Sequence, residues 1–269
     1  MTDLQAVKER SRVVWGAGDY TTVGCRIQYL AELLCEAIPV RAGDRVLDVA
    51  TGTGNAALAA ARRFAAVTAI DFVPELMARG RLRAEAEGLE VDFRQGDAEA
   101  LDFPDDSFDV VLSTCGVMFA PDQERAASEL LRVCRPGGAI GMVNWTPEGL
   151  VGAIFRAMGA LVPPPPGVKP AVRWGSEQGL RELFGDKVTI TAPVRSFWLR
   201  MPSLTDWANF YADNYGPTVK AAEALGSSGR ETVVAALIEA AAPFNQATDG
   251  TAELPLDYLE VVIRKPASV

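Results

Sequence analysis

Between Val46 and Asn55 the chain reads VLDVATGTGN, an apolar run that holds one carboxylate and is followed by two glycines. A run of this kind fits a central parallel strand covered on both faces. Asp48 is out of place there on packing grounds, because a buried carboxylate is costly unless paired. Gly52 and Gly54 permit a tight turn and let a ligand approach backbone N–H groups closely. The helix expected from about Asn55 to Phe64 points its positive end at the same space. The arrangement suits a small ligand that offers an amine to Asp48 and a carboxylate to the helix end.

Further polar residues stand where strands are expected to end. Asp71 closes the second strand, Asp97 follows the third in Gln95-Gly96-Asp97-Ala98, and Ser113 and Thr114 end the fourth. In a sheet of order 3-2-1-4 these positions lie along one rim. Asp71 can accept both hydrogens of a ribose diol, and Asp97 can accept from an exocyclic amine. The N–H of Ala98 can donate to the ring nitrogen beside that amine, and Phe72 can stack on the base. Asp is also common after strands as a turn or N-cap residue; an ordered set behind a glycine turn raises these positions above that reading. Gly52-Thr53-Gly54-Asn55-Ala56-Ala57 also fits the GxGxxA dinucleotide pattern, which alone is weak. Against NAD stands Asp48, which would repel a pyrophosphate at the helix end.

These residues need a scaffold of alternating strands and helices. A helix in residues 1 to 20 is expected to lead into the loop Trp15-Gly16-Ala17-Gly18-Asp19-Tyr20, then a helix from about Val23 to Ala37. Strands are expected at 45–50, 67–70, 90–94, 108–112 and 139–143. Helices fall between, from Pro74 towards Gly88 and from Pro121 to about Cys134, where Arg135-Pro136-Gly137-Gly138 stops the last. The alternation implies a parallel sheet with helices on both faces. Beyond Trp145 the pattern loosens. A helix near 150–161 runs into Pro163–Pro166, a short helix around 176–184 precedes a strand near 188–194, and helices fill 203–243. A last strand is expected at about 258–264. The second half thus offers two strands and much aromatic helix, read as the far edge of the sheet plus a cover over the strand ends.

Composition narrows the chemistry. The 269 residues carry a net charge of -9 and contain no histidine, which excludes a His-dependent triad or a His general base. Cysteines stand at 25, 35, 115 and 134 without a CxxC pair, so no metal site of the usual zinc type is expected. Cys25, Cys35 and Cys134 read as small core residues of a reduced protein. The acidic balance argues against nucleic acid as a partner. The basic cluster Arg79-Gly80-Arg81-Leu82-Arg83 reads as a solvated helix face. No apolar run approaches the ~20 residues of a membrane span. The N-terminus lacks the apolar stretch of a signal peptide, so a cytoplasmic protein is expected.

VLDVATGTGN, AIDFVPELM, QGDAEALDFPDDSFDVV and ELLRVCRPGG resemble, in order and spacing, the motifs of class I S-adenosylmethionine-dependent methyltransferases, closest in flavour to the ubiquinone/menaquinone-biosynthesis (type 11) small-molecule enzymes. The resemblance covers about residues 44–145. It implies an α/β, Rossmann-like, seven-stranded, mostly parallel sheet of order 3-2-1-4-5-7-6 with the last strand antiparallel and a helical lid. One methyltransferase domain would span 1–269, with a cofactor core at 41–147 and lid or substrate-side elements at 1–24, 148–187 and 202–250. S-adenosylmethionine would be the cofactor. Asp48, Ala50, Gly52, Thr53 and Gly54 would hold its methionine part, Asp71 its ribose, and Phe72, Asp97 and Ala98 its adenine. Ser113 would sit by the amine through its backbone carbonyl. Ala50 stands where many members carry a glycine. Tyr20 is carried over from a segment that closes over the cofactor in relatives.

The reaction implied is in-line transfer of a methyl group to an O, N, S or C nucleophile of a small-molecule acceptor. Cys115, Met118 and Phe119 after the fourth strand, with Asn144 and Trp145 after the fifth, face the expected acceptor side. Trp207, Tyr211 and Tyr215 recur on one helix face. Such a stripe serves a core more often than a pocket, but as a lid it would favour an apolar or aromatic acceptor. No general base can be named. Two alternatives are a protein that uses the cofactor structurally or for a non-methylating cyclisation, and an NAD(P)-dependent oxidoreductase. The oligomeric state is not legible.

Overall fold

Arg45–Val49 forms β1 in the middle of the sheet, hydrogen-bonded to a parallel strand on either side. The structure is a computed structural model that describes residues 3–267; Met1 and Thr2, at the start of the expected N-terminal segment, lie outside it. Along the chain follow α1 (Leu4–Trp15), α2 (Tyr20–Gly24), α3 (Tyr29–Ala37), β1, α4 (Asn55–Ala61), β2 (Ala66–Asp71), α5 (Pro74–Ala86) and β3 (Asp92–Gln95). Next come β4 (Phe108–Thr114), α6 (Gln123–Val133), β5 (Cys134–Trp145), α7 (Leu150–Leu161) and α8 (Glu177–Phe184). The chain then forms β6 (Thr189–Thr191), β7 (Val194–Met201), α9 (Leu204–Asn214), α10 (Gly216–Ala224), α11 (Gly229–Ala241) and β8 (Ala252–Arg264).

The sheet order is β3-β2-β1-β4-β5-β8-β6, with β7 also paired to β8. The strands β1 to β5 are parallel, and β8 runs antiparallel to β5. β6 and β7 pair with β8 in one unbroken register, Thr191 opposite Val262 and Val194 opposite Leu259. They are one strand interrupted at Ala192-Pro193, where proline has no N–H to give the ladder. With the two pieces counted together, the order 3-2-1-4-5-7-6 stands as expected.

Several boundaries differ from expectation. Three strand segments occupy the second half where two were expected. β7 runs on to Met201, and its mostly exposed residues carry no alternating apolar signal. β8 begins at Ala252, with Pro255 in its interior. That proline is tolerated because β5 pairs with β8 only from Tyr258 onward. The helix after the glycine turn ends at Ala61, before the expected Phe64. Cys25 is exposed on a short 3₁₀ turn rather than in the core.

One hydrophobic cluster runs through the described residues from Ile27 to Ile263 and takes in both sheet faces. Val46, Leu47 and Val49 of β1 are fully buried, each contributing ~1.5–3 kcal/mol through the hydrophobic effect. Trp174 and Trp207 are the largest fully buried side chains. Helix starts are set by local chemistry. Asp122 accepts from the N–H of Arg125 to cap α6, Ser203 accepts from Asp206 to cap α9, and Pro74 opens α5. No helix of the described residues is long and apolar enough to cross a membrane.

Candidate active site

At the carboxyl ends of β1, β2 and β4 the chain leaves the sheet through three polar turns. Ala50 and Gly52 both take positive φ, 55° and 56°, and for the alanine this conformation costs ~1–2 kcal/mol. Cys115 after β4 is likewise at φ 53°. Gly116 packs so closely on the first turn that a Cβ there would stand 2.4 Å from the Ala50 carbonyl oxygen. The two turns are therefore interlocked, and Ser113 ties them further. Its hydroxyl donates to the Val49 carbonyl at 2.7 Å and accepts from the Val117 N–H at 2.9 Å.

Asp48 is buried at the end of β1. Its Oδ2 accepts from the Thr51 hydroxyl at 2.5 Å and the Ala57 N–H at 2.9 Å, while Oδ1 is buried without a partner. Burial pushes its carboxyl up to about 7, against those two hydrogen bonds. Asp71 ends β2 and organises the turn. Its Oδ2 accepts from the Gly52 N–H at 2.8 Å and its Oδ1 from the Val73 N–H at 2.9 Å. Burial pushes Asp71 up to about 6. Asp97 follows β3; its Oδ1 accepts from the Glu99 N–H and its Oδ2 from Lys8 Nζ at 2.6 Å.

These groups converge on one cleft. Of the residues singled out in the sequence, Tyr20, Asp48, Ala50, Gly52, Thr53, Asp71, Phe72, Asp97 and Ala98 line it. Two expected residues stand behind it instead. Gly54, at φ 88°, backs the turn against the Phe93 ring. The Ser113 side chain is spent on Val49 and Val117.

A second, smaller cavity adjoins the first and shares Trp15, Tyr20, Ile27, Cys115 and Phe119 with it. Trp145, Trp207, Tyr211 and Tyr215 also line it, together with α7 residues such as Phe155. Around Trp15 the rings of Phe119, Tyr215 and Tyr20 pack edge-to-face, with centroids 4.7, 5.6 and 5.8 Å away. Met118 and Asn144 do not reach this cavity. Met118 is fully buried in the core, and Asn144 points its amide at the Trp174 carbonyl, 3.1 Å away.

Sequence reasoning missed Lys8 and Arg83, and set Thr114 on the rim without giving it a role. Lys8, on α1, bridges Asp97 and Glu99 at 2.6 Å each and lines the cleft. Burial works against its charge, but the two carboxylates hold its pKa above the usual lysine value. Arg83, read as part of a solvated face, donates to the Thr53 carbonyl at 2.8 Å and to Asn55 Oδ1 at 2.7 Å, bracing the glycine turn from α5. Thr114 places a buried hydroxyl without a partner in the cleft wall. Asn55, opening the helix beside the glycines, was the one locally readable clue to such bracing.

The residues fit a nucleoside that carries an amino acid. Asp48 Oδ1 and Thr114 Oγ1 are buried acceptors lacking donors, which an ammonium would supply. Asp71 and Asp97 keep lone pairs for hydroxyl and amine donors, and Phe72 and Leu76 offer apolar faces for a base. Among the described residues no group of three or more His, Cys, Asp or Glu side chains is placed to hold a metal.

Comparison with known proteins agrees with this geometry. Residues 46–138 match the model of a family described as "Methyltransferase domain". An uncharacterized protein of Mycobacterium tuberculosis is 38% identical over 273 residues, covering 97% of this chain and 96% of that protein. The demethylmenaquinone methyltransferase of Thermus thermophilus is 43% identical over 120 residues, covering 43% of this chain and 54% of that enzyme. The crystal structure of the YcgJ protein from Bacillus subtilis shares the fold with a TM-score of 0.63 at 22% identity, covering 88% of this chain and 98% of that one. With the matched segment running from β1 through the glycine turn to the end of the RPGG motif, the chain belongs to the S-adenosylmethionine-dependent methyltransferases.

Proposed function

We propose that the protein transfers a methyl group from S-adenosylmethionine to a small apolar or aromatic acceptor. The observation that carries this reading is the pair of adjoining cavities, one lined by strand-end carboxylates and the other by aromatic rings, with Trp15, Tyr20, Ile27, Cys115 and Phe119 as their common wall. When bound, the cofactor supplies an electrophilic methyl group on a sulfonium. Asp48 and Thr114 hold the methionine amine, Asp71 the ribose hydroxyls, and Asp97 with the Ala98 N–H the adenine edge. The core at 41–147 carries these groups; elements from 1–24, 148–187 and 202–250 cover them and form the acceptor wall. The chain acts by positioning, which supplies ~7–11 kcal/mol of a barrier when two reactants are aligned. The enclosing rings exclude water from the reacting atoms.

Titration calorimetry tests the first step. Wild-type protein should bind S-adenosylmethionine, and Asp71→Ala should lose most of that affinity, because it removes the ribose acceptor and the partner of the Gly52 N–H. Absence of binding to the wild type refutes the reading. Incubation with small apolar acceptors should then yield S-adenosylhomocysteine and a product heavier by one methylene. Binding without S-adenosylhomocysteine formation across such a panel would favour a structural or cyclising use of the cofactor.

A further inference from the structure

The acceptor cavity restricts the kind of nucleophile it can take; this rests on the methyl-transfer reading above. Among the described residues no Asp, Glu, Lys or Arg lines the cavity, and the chain contains no histidine. Its titratable groups are Cys115, Tyr20, Tyr211 and Tyr215. Burial pushes the Cys115 thiol and the Tyr20 and Tyr215 hydroxyls well up, and Tyr211 up to about 12 despite nearby Arg26. Each is a neutral, protonated group at neutral pH, so none can take a proton from an acceptor. Arg26 itself stays outside the lining, stacked over Phe210 at 4.0 Å. The nearby carboxylates belong to the cofactor cleft and are engaged there. Asp97 and Glu99 are bound to Lys8, Asp71 to two backbone N–H groups, and Asp48 to Thr51 and Ala57 through Oδ2, its free Oδ1 being the one the methionine amine takes.

We infer that the acceptor is an uncharged molecule whose reacting atom already bears a free lone pair, a tertiary or ring nitrogen or a thioether sulfur, and that its product is an onium cation held by the rings of Trp15, Tyr20, Phe119 and Tyr215. The acceptor lone pair forms the new bond to the methyl carbon. The carbon–sulfur bond breaks and its electron pair returns to sulfur. The positive charge passes from sulfur to the acceptor atom, and no proton moves. The rings suit that charge. Trp15, Tyr20 and Phe119 line both cavities, so they flank the place where it crosses, and aromatic faces attract cations in desolvated sites. With Asp48 paired to the methionine amine, the cleft lining still sets Asp71, Asp97 and Glu99 against the single ammonium of Lys8, a balance that favours a cation at its mouth. A phenol would need to shed a proton and finds no base.

The test uses the full chain saturated with S-adenosylhomocysteine, with N-methylquinolinium compared against the uncharged methylnaphthalene by titration calorimetry. The cation should bind at least ten-fold more tightly, and Phe119→Leu should lower that ratio several-fold. No preference for the cation overturns the inference, whether both probes bind equally or neither binds. Methylation of naphthol at pH 7 as fast as that of quinoline also overturns it. Failure of S-adenosylhomocysteine itself to bind breaks the methyl-transfer reading instead, so the two failures are distinguishable.

Discussion

Asp48 should make cofactor affinity depend on pH in a way that an isosteric substitution removes. Its carboxyl is pushed up to about 7 by burial in the ligand-free protein, and its Oδ1 has no donor. The ionised form is the one that pairs with an ammonium, so below pH 7 binding must expel a proton. With a pKa near 7, the ionised fraction rises from about one in a hundred at pH 5 to about one half at pH 7. Affinity should therefore rise about fifty-fold over that range, or about 2.3 kcal/mol. In the absence of ligand the sign reverses. The folded state keeps a proton that the unfolded chain gives up near pH 4. Stability conferred by the site thus falls as pH rises from about 4 to about 7, by up to about 4 kcal/mol. Titration calorimetry with S-adenosylhomocysteine at pH 5, 6 and 7, in buffers of different ionisation enthalpy, reads both affinity and proton release. Asp48→Asn is the control. Asp71, pushed up to about 6, titrates in the same window, and whatever slope the variant retains belongs to it. A flat profile in the wild type, or equal slopes in wild type and variant, refutes the assignment of the ammonium to Asp48.

Two further outcomes follow from the same geometry. Lys8→Met keeps the apolar stem but removes both ion pairs, so the ligand-bound complex should dissociate roughly five-fold faster, the equivalent of ~1 kcal/mol for a part-exposed pair; stopped-flow tryptophan fluorescence measures it, and an unchanged rate would show that α1 does not hold the ligand through Lys8. Gly116→Ala drives a methyl group to within 2.4 Å of the Ala50 carbonyl, an overpacking cost of ~1–3 kcal/mol; thermal melting should fall by several degrees and cofactor affinity with it, whereas an unshifted melt would mean the two turns are not interlocked.

The cofactor half was legible because its signals are local. A carboxylate inside an apolar run, glycines directly after it and acids at the next two strand ends are each confined to a few neighbouring residues, and the parallel sheet aligns them. Lys8 carries no such signal: its role depends on α1 returning over a turn 89 residues away. Arg83 was hidden for the same reason among exposed arginines of α5. In the second half, adjacency to a strand end proved a poor guide. Asn144 sits inside β5, paired opposite Leu259 and turned towards Trp174. β7 went unread because an edge strand with exposed residues lacks the apolar alternation that marks a half-buried one. The Trp207–Tyr215 stripe was legible as a face but not as a role. It is both packed and cavity-lining, with Trp207 1% exposed and Tyr211 and Tyr215 half-buried against the same space.

That division has a physical cause. The three strand-end aspartates of the cofactor cleft are held by backbone N–H groups of the turns and of α4: Gly52 and Val73 to Asp71, Ala57 to Asp48, Glu99 to Asp97. Changing such a residue strands a buried N–H, at ~1–3 kcal/mol each. The aromatic cavity has no comparable network. Trp15, Phe155 and Tyr211 come from helices α1, α7 and α9, Tyr215 from the junction between α9 and α10, and the Trp207 indole N–H is buried without an acceptor. Apolar packing of this kind tolerates exchange of side chains of similar volume. Acceptor choice can therefore shift through α1, α7 and α9 to α11 while the carboxylates at the ends of β1, β2 and β3 stay in place. The unpaired indole N–H shows where such a shift would register first: an acceptor offering it an oxygen gains a hydrogen bond that an isosteric hydrocarbon does not.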